Sequence, residues 1–108
     1  MSVEGLFAEI AGELRRAEAK FPSWPDDIVH GAAVMAEESG EAVKAALDCY
    51  YRFAPVSDYR EELIQTAAMC VRALLDLDQR KLRRNTWERL AGEQRETSRA
   101  ALAGGEEE

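Results

Sequence analysis

The chain has 108 residues, of which 46% are hydrophobic and 32% charged, so it is long enough for one hydrophobic core and too apolar for wholesale disorder. Its formal net charge of −7 argues against nucleic acid as a partner, because proteins that neutralise backbone phosphates present a clustered excess of Lys and Arg. No apolar run approaches the roughly 20 residues that span a bilayer, and no signal-peptide pattern is present, so we expect a cytoplasmic protein without a membrane contact.

Two helices are predicted in the first half of the chain. The first runs from about Val3 to Ala19, where apolar residues recur at helical spacing. It ends at the segment 21–25, because two prolines so close together cannot continue a helix. Ser23 followed three residues later by Asp26 resembles a capping box with a proline in the first turn. The second helix is therefore predicted to begin there and to continue to about Phe53.

A third helix is predicted after the turn that follows Phe53. Ser57 or Asp58, with Glu61 a few residues later, provides its N-terminal cap. No Gly or Pro interrupts the sequence from Ser57 to Ala91. The third helix is therefore expected either to end near Asp78 or to bend into a fourth helix there.

These elements predict an all-α protein, an antiparallel bundle of about four helices. We expect residues 1–103 to form a single domain and residues 104–108 to form a flexible acidic tail. The third helix is apolar over much of its circumference, and four helices can hardly cover it within one chain. We therefore expect oligomerisation, as a homodimer or homotetramer, to complete the bundle. The apolar positions are Leu63, Ile64, Ala67, Ala68, Cys70, Val71, Leu74, Leu75 and Leu77.

Two carboxylates of the second helix stand out because of their setting. Glu38 and Glu41 are neighbours on one helix face and lie within an apolar stripe. The same spacing in Glu93 and Glu96 occurs in a polar stretch, where solvation explains it, and that pair serves as an internal control. Buried carboxylates need a counter-charge, because burying an unpaired carboxylate costs on the order of several kcal/mol. Buried salt bridges and a metal site both satisfy this need, and the residues alone favour neither.

The third helix supplies more oxygen donors on one narrow stripe, which carries Glu62, Gln65, Met69, Arg72 and Asp76. Oxygen ligands from two helices therefore converge. Hard oxygen ligands in this number suit Mg²⁺ or Mn²⁺, which keep open positions for water and phosphate oxygens.

These two half-motifs resemble the all-α nucleoside triphosphate pyrophosphohydrolases, the MazG-like superfamily, in which an EExxE motif on one helix precedes an ExxD motif on the next. Glu37-Glu38-Ser39-Gly40-Glu41 matches the first half, and Glu62 with the small residues that follow matches the second. The resemblance covers about Phe21 to Leu77. The sequence departs from the motif at Gln65, where the family usually has aspartate.

The resemblance implies Mg²⁺-dependent (or Mn²⁺-dependent) hydrolysis of a nucleoside triphosphate to a monophosphate and pyrophosphate. By the same resemblance, Glu38, Glu41 and Glu62 are metal ligands, and Gln65 contributes a neutral oxygen that lowers cation affinity. The catalytic acids are then Glu38 and Glu37, and Glu37 either supports the metal ligands from behind or helps to orient water. A second reading is a non-catalytic relative that binds a nucleotide or a protein partner, and a third is a helical assembly module with salt-bridged acids.

Three residues near this stripe are candidates for substrate binding, each with a structural alternative. Arg72 either contacts a phosphate or pairs with Asp76 or Glu41. Lys44 either contacts a phosphate or is solvated. Trp24 either stacks on a base or closes the turn between the first two helices.

Overall fold

The computed structural model describes the backbone of residues 2–106 and the side chains of that range other than those of residues 85, 86 and 104–106. The chain forms three helices in these residues, α1 at Val3–Lys20, α2 at Ile28–Arg52 and α3 at Val56–Glu106, with no strand between them. The all-α prediction is confirmed. None of the three helices combines the length and apolar character needed to cross a membrane, as judged over the residues described.

The start of α2 differs from the prediction. The N-cap is Asp27, whose carboxylate accepts the backbone N–H of His30 at 2.7 Å, so the helix begins at Ile28 rather than at Ser23. The predicted capping box of Ser23 and Asp26 is therefore wrong. Pro25 explains the delay, because a proline disfavours helical geometry in the residue before it and so keeps the preceding segment extended.

The turn between α2 and α3 is tight and closed by backbone bonds. Phe53 adopts left-handed geometry with φ at 59°, and the N–H of Ala54 donates to the carbonyl of Asp48 at 3.1 Å. The N–H of Asp58 donates to the carbonyl of Pro55 at 3.0 Å, so α3 begins at Val56. This start lies one residue before the earliest cap predicted from the sequence.

The third helix continues past the expected break near Asp78. No helix-breaking residue lies between Ser57 and Ala91, and α3 extends to Glu106 as one element. The chain nevertheless divides into two compact units, Met1–Asp76 and Leu77–Glu108. The division falls close to the position where the sequence suggested a boundary. Of the predicted tail, residues 104–106 are helical, and residues 107 and 108 lie outside the described residues.

Within the first unit, contacts distributed along α2 and α3 establish an antiparallel pair. Near the turn, the thiol of Cys49 donates to the carbonyl of Pro55 at 3.3 Å. In the middle of the pair, the hydroxyl of Thr66 donates to the carbonyl of Glu38 at 3.1 Å. Farther along α3, Arg72 donates to carbonyls of the loop that precedes α2. Contacts therefore move toward the N-terminus of α2 as α3 advances.

Burial in the described chain is limited. Ala68 and Met69 of α3 are 0% and 9% exposed, but the large apolar side chains Leu63, Leu74 and Leu75 on the same helix remain 44%, 60% and 48% exposed. The expected covering of these sides of α3 is therefore not provided within the first unit. The oligomer that would cover them remains a prediction.

Candidate functional site

Four glutamates of α2 and α3 are near enough to raise the pKa of Glu38 or Glu62 by repulsion, and we call Glu37, Glu38, Glu41 and Glu62 the acidic cluster. Glu38 and Glu62 are half-buried, whereas Glu37 and Glu41 are exposed. The predicted half-motifs on two helices are thus neighbours in space. The control pair from the second unit, Glu93 and Glu96, is exposed, as its polar surroundings indicated.

Thr66 joins the two helices beside the acidic cluster. Its hydroxyl oxygen lies 2.8 Å from the carbonyl oxygen of Glu62, one turn earlier in α3, and 3.1 Å from the carbonyl oxygen of Glu38. A threonine that bonds back to its own helix keeps its side chain close to the backbone. The side chain is small, and its single hydroxyl proton is shared between the two carbonyl oxygens, so Thr66 allows α2 and α3 to approach closely at this level.

The environment of Glu38 disfavours its ionised form. Burial is the largest cause that raises the pKa of Glu38 above its ordinary value of 4.5, and repulsion from four carboxylates follows, in decreasing order those of Glu62, Glu37, Glu41 and Glu13. Each of these neighbours is negatively charged. Glu38 therefore experiences repulsion rather than the attraction that a buried salt bridge would supply.

Glu62 contains the most unusual atom of the cluster. Its Oε2 is buried and has no hydrogen-bond partner among the described residues. Burial raises the pKa of Glu62 above 4.5, and repulsion from Glu41 and then Glu61 raises it further. A buried polar atom without a partner is costly, and such atoms in native proteins generally reflect strain, a catalytic role, or a bound water or ion.

The oxygen donors approach one another without forming a closed ligand set. Gln65 is half-buried on α3, three residues after Glu62 and therefore on the same side of the helix. No group of three or more His, Cys, Asp or Glu side chains in the described part of the chain is arranged to hold a metal ion. Coordination by this cluster thus requires side-chain rotations that bring the carboxylates closer together.

Arg72 and Trp24 lie together at the loop between α1 and α2. Arg72 is 8% exposed, and its Nη2 donates to the carbonyl of Phe21 and, at 3.3 Å, to the carbonyl of Ser23. Its Cζ lies 5.2 Å from the centroid of the Trp24 ring. This arrangement favours turn closure for Trp24 and a structural role for Arg72. That role is a loop anchor, which differs from the pairing with Asp76 or Glu41 expected from the sequence. The arrangement does not test whether Arg72 contacts a phosphate or Trp24 stacks on a base.

Lys44 and His30 lie on the surface of α2. Both side chains are exposed, and the backbone N–H of His30 is used by the N-cap of the helix. The solvated alternative for Lys44 fits this exposure, while a role in substrate binding stays a prediction.

Glu13 of α1 is the residue near the cluster that the sequence analysis missed. It contributes to the raised pKa of Glu38, while its own carboxylate forms an ion pair with Arg16 at 2.6 Å. The sequence could have identified Glu13, because it follows Ile10 by three residues and precedes Ala17 by four, and so lies along the apolar stripe of α1. The criterion that singled out Glu38 would also have found it.

Comparison of the chain with protein-family models, with characterised proteins and with solved structures gave no match in any of the three. The functional argument therefore depends on the residues themselves. Chemically, the junction of α2 and α3 offers half-buried carboxylates in a field of negative charge. Such a site can take up protons or attract a small cation.

Proposed function

We propose that the protein is a Mg²⁺- or Mn²⁺-dependent nucleotide pyrophosphohydrolase that cleaves a nucleoside triphosphate to a monophosphate and pyrophosphate. The observation that carries the proposal is the buried, unpartnered Oε2 of Glu62 beside Glu38, whose charged neighbours are all carboxylates. A cation at this position would supply the missing partner and offset the repulsion. The likeness of the two half-motifs to MazG-like enzymes supplies the reaction.

The donor chemistry of the acidic cluster fits a hard cation. Glu38, Glu41 and Glu62 would hold the ion through carboxylate oxygens, and Gln65 would add an amide oxygen. When bound, the ion would neutralise phosphate charge and lower the pKa of an attacking water. Because the carboxylates of the described residues are not arranged as a ligand set, we expect binding to draw them together.

The remaining residues divide into surface and structural roles. Glu37, exposed at the edge of the cluster, would orient the attacking water. Lys44 is the exposed cation of α2 nearest in sequence to Glu41, and it would meet phosphate oxygens. Arg72 and Trp24 would hold the α1–α2 loop, since their contacts are internal. A homodimer or homotetramer that completes the helical bundle, located in the cytoplasm, belongs to the same proposal.

Two other functions make different use of the same cluster. A non-catalytic relative would bind a nucleotide or a partner, and its neutral Gln65 would prevent turnover. In a helical assembly module, the acids would be neutralised by buried salt bridges. The charges around Glu38 weigh against the assembly module, because its neighbours are negative.

Pyrophosphate release from a panel of nucleoside triphosphates tests the proposal. We expect release by the wild-type protein with Mg²⁺, none with a chelator, and background rates for Glu62→Gln. Glu93→Gln, which alters an exposed glutamate outside the cluster, should retain the wild-type rate. Stabilisation by Mg²⁺ without pyrophosphate release would favour the binding relative, and the absence of both would favour the assembly module.

A further inference from the structure

The outer face of α2 is apolar and exposed along most of its length. Apolar or small residues recur there at alternating intervals of four and three, which is the spacing of a helix that packs along another helix. We call these seven residues the α2 seam: Val29, Ala33, Ala36, Gly40, Val43, Leu47 and Tyr50. All seven are exposed, and the four larger ones, Val29, Val43, Leu47 and Tyr50, are 76%, 58%, 51% and 76% exposed.

The seam is distinct from the face by which α2 packs in its own chain. The buried positions of α2 are Gly31 and Ala42, and half-buried Glu38 lies with them on the side toward α3. The seam lies on the other side of the helix and extends over about 30 Å at 1.5 Å per residue. A stripe of this length without a charged residue is an interface pattern rather than a scatter of single apolar groups.

From Ala33 onward, side-chain size increases along the seam. The small residues Ala33, Ala36 and Gly40 come first, and the large residues Val43, Leu47 and Tyr50 follow. An antiparallel copy of the seam pairs Gly40 with Val43, Ala36 with Leu47, and Ala33 with Tyr50, so that each of these three large side chains meets a small one, while Val29 lies beyond the paired residues. A parallel copy pairs each residue with itself, which leaves gaps at the small end and crowds Tyr50 against Tyr50.

The charges along one edge of the seam favour the same antiparallel orientation. Glu37 follows Ala36 and Lys44 follows Val43, so both lie along the same edge, and both are exposed. They are seven residues apart, about 10.5 Å along the helix, and so cannot pair with each other within α2. In an antiparallel copy the corresponding edges face each other, and each Glu37 comes beside Lys44 of the second copy. In a parallel copy these positions meet uncharged residues.

We propose that the α2 seam is the docking surface for a second copy of this chain, with the two α2 helices antiparallel. Size complementarity and charge complementarity each select this partner and this direction. The apolar seam lies opposite Glu38, and the inference holds whether or not the acidic cluster binds a metal. Its edge shares Glu37 and Lys44 with the proposed function, so the test of pairing direction reads dimerisation and not activity. It also differs from the expected covering of α3, because it assigns the contact to another helix.

Substitution at Gly40 tests the contact. A Cβ atom at Gly40 meets no atom within 4 Å, so Gly40→Leu fits the single chain while preventing close approach of a second helix. Gly12→Leu is the matched control, because a Cβ there meets only the ends of the arginine side chains Arg15 and Arg16, at 3.9 Å or more. Light scattering after size-exclusion chromatography gives the mass, and circular dichroism gives the helix content.

We expect Gly40→Leu to halve the mass of the wild-type assembly with unchanged helix content, and Gly12→Leu to leave the mass unchanged. For the simplest assembly, the change is from twice the chain mass of 12.1 kDa to 12.1 kDa. A wild-type monomer at about 100 µM, far above the dissociation constant of a stable dimer, overturns the proposal. So does a Gly40→Leu variant that keeps the full mass.

Charge exchange tests the direction of pairing. Lys44→Glu alone places like charges at two symmetry-related contacts and should raise the dissociation constant about fivefold at low salt. The double variant Glu37→Lys with Lys44→Glu should restore the wild-type value, because it exchanges the two signs. A double variant that dimerises no better than Lys44→Glu overturns antiparallel pairing of this edge, whatever the Gly40 variants show.

Discussion

The indole of Trp24 packs directly on the backbone of Gly31, so that a Cβ atom at position 31 would lie 2.9 Å from Nε1 of the ring. The guanidinium of Arg72 lies on the same ring, with Cζ 5.2 Å from the centroid. An aromatic ring that contacts both a helix backbone and a buried cation fixes the loop that precedes α2. Any change that moves the ring therefore also disturbs the contacts of Arg72.

Gly31→Ala should destabilise the protein. The added methyl group forces the ring away, and we expect the free energy of unfolding to fall by about 1–3 kcal/mol despite the better helix propensity of alanine. Gly12→Ala is the matched control, because the nearest atom to its Cβ is Nη1 of Arg16 at 3.9 Å. That control should gain about 0.5–1 kcal/mol. Chemical denaturation followed by circular dichroism measures both, and equal effects would mean that the ring moves freely.

Arg72→Met should destabilise the protein by about 1.5–3 kcal/mol, because it removes a charged donor from the loop carbonyls while retaining an apolar side chain of similar length. Arg84→Met is the control, since Arg84 is exposed and pairs with Glu88 at 3.0 Å within one helix. Its effect should stay within about 0.5 kcal/mol. If Arg72→Met instead unfolds like the wild type and weakens nucleotide binding, Arg72 is a phosphate contact and the loop-anchor role is wrong.

The raised pKa of Glu38 makes the stability of the metal-free protein depend on pH. The folded state binds the proton more tightly than the unfolded state, so this stabilisation is fully present below the ordinary pKa of 4.5 and is lost as pH rises through the folded pKa. Glu38→Gln should therefore flatten the profile and raise the melting temperature at neutral pH without metal. Glu93→Gln should leave the profile unchanged. A sharply lower melting temperature for Glu38→Gln would support a buried salt bridge instead.

Local chemistry made the helix ends partly predictable. The ends of α1 are within one residue of those expected, because Ser2 caps Gly5 at 3.0 Å and prolines follow the C-terminus. The start of α2 was missed because the prediction used Ser23 as the N-cap and left out Asp27, although Pro25 disfavours helical geometry in the residue that precedes it. The continuity of α3 could not be predicted, since a stretch without Gly or Pro is compatible both with one helix and with two.

The acidic residues of each helix could be identified from the sequence, but the way in which α2 and α3 bring them together could not. Glu38 was identified because an acidic residue in an apolar stripe is unusual on a helix, and Glu62 because it lies on a stripe of oxygen donors and matches the second half-motif. The register between α2 and α3 depends on which side chains allow close approach, and nothing in the periodicity indicated that Thr66 would bond to the carbonyl of Glu38. The hydrogen bonds from Arg72 to the loop depend on the same register. For this reason the sequence left open whether Arg72 contacts a phosphate or forms an ion pair.

The departure of Gln65 from the MazG-like pattern gives the sharpest test of catalysis. Gln65 follows Glu62 by three residues on α3 and is half-buried, so it offers a neutral amide oxygen on the side that carries the cluster. A hard cation prefers a carboxylate to an amide, so Gln65→Asp should tighten Mg²⁺ or Mn²⁺ binding. It should also raise pyrophosphate release if the missing charge limits turnover. Gln65→Asn is the control, because it shortens the side chain equally without adding charge.

Calorimetric titration of the metal and a pyrophosphate assay, applied to wild type, Gln65→Asp and Gln65→Asn, separate the outcomes. Tighter metal binding and faster release for Gln65→Asp alone would establish Gln65 as the residue that limits the site. Equal metal affinity in all three proteins would mean that Gln65 does not face the ion. Tighter metal binding by Gln65→Asp without turnover in any of the three proteins would make a nucleotide- or partner-binding function the better account. The added carboxylate would then improve binding of the cation without producing hydrolysis.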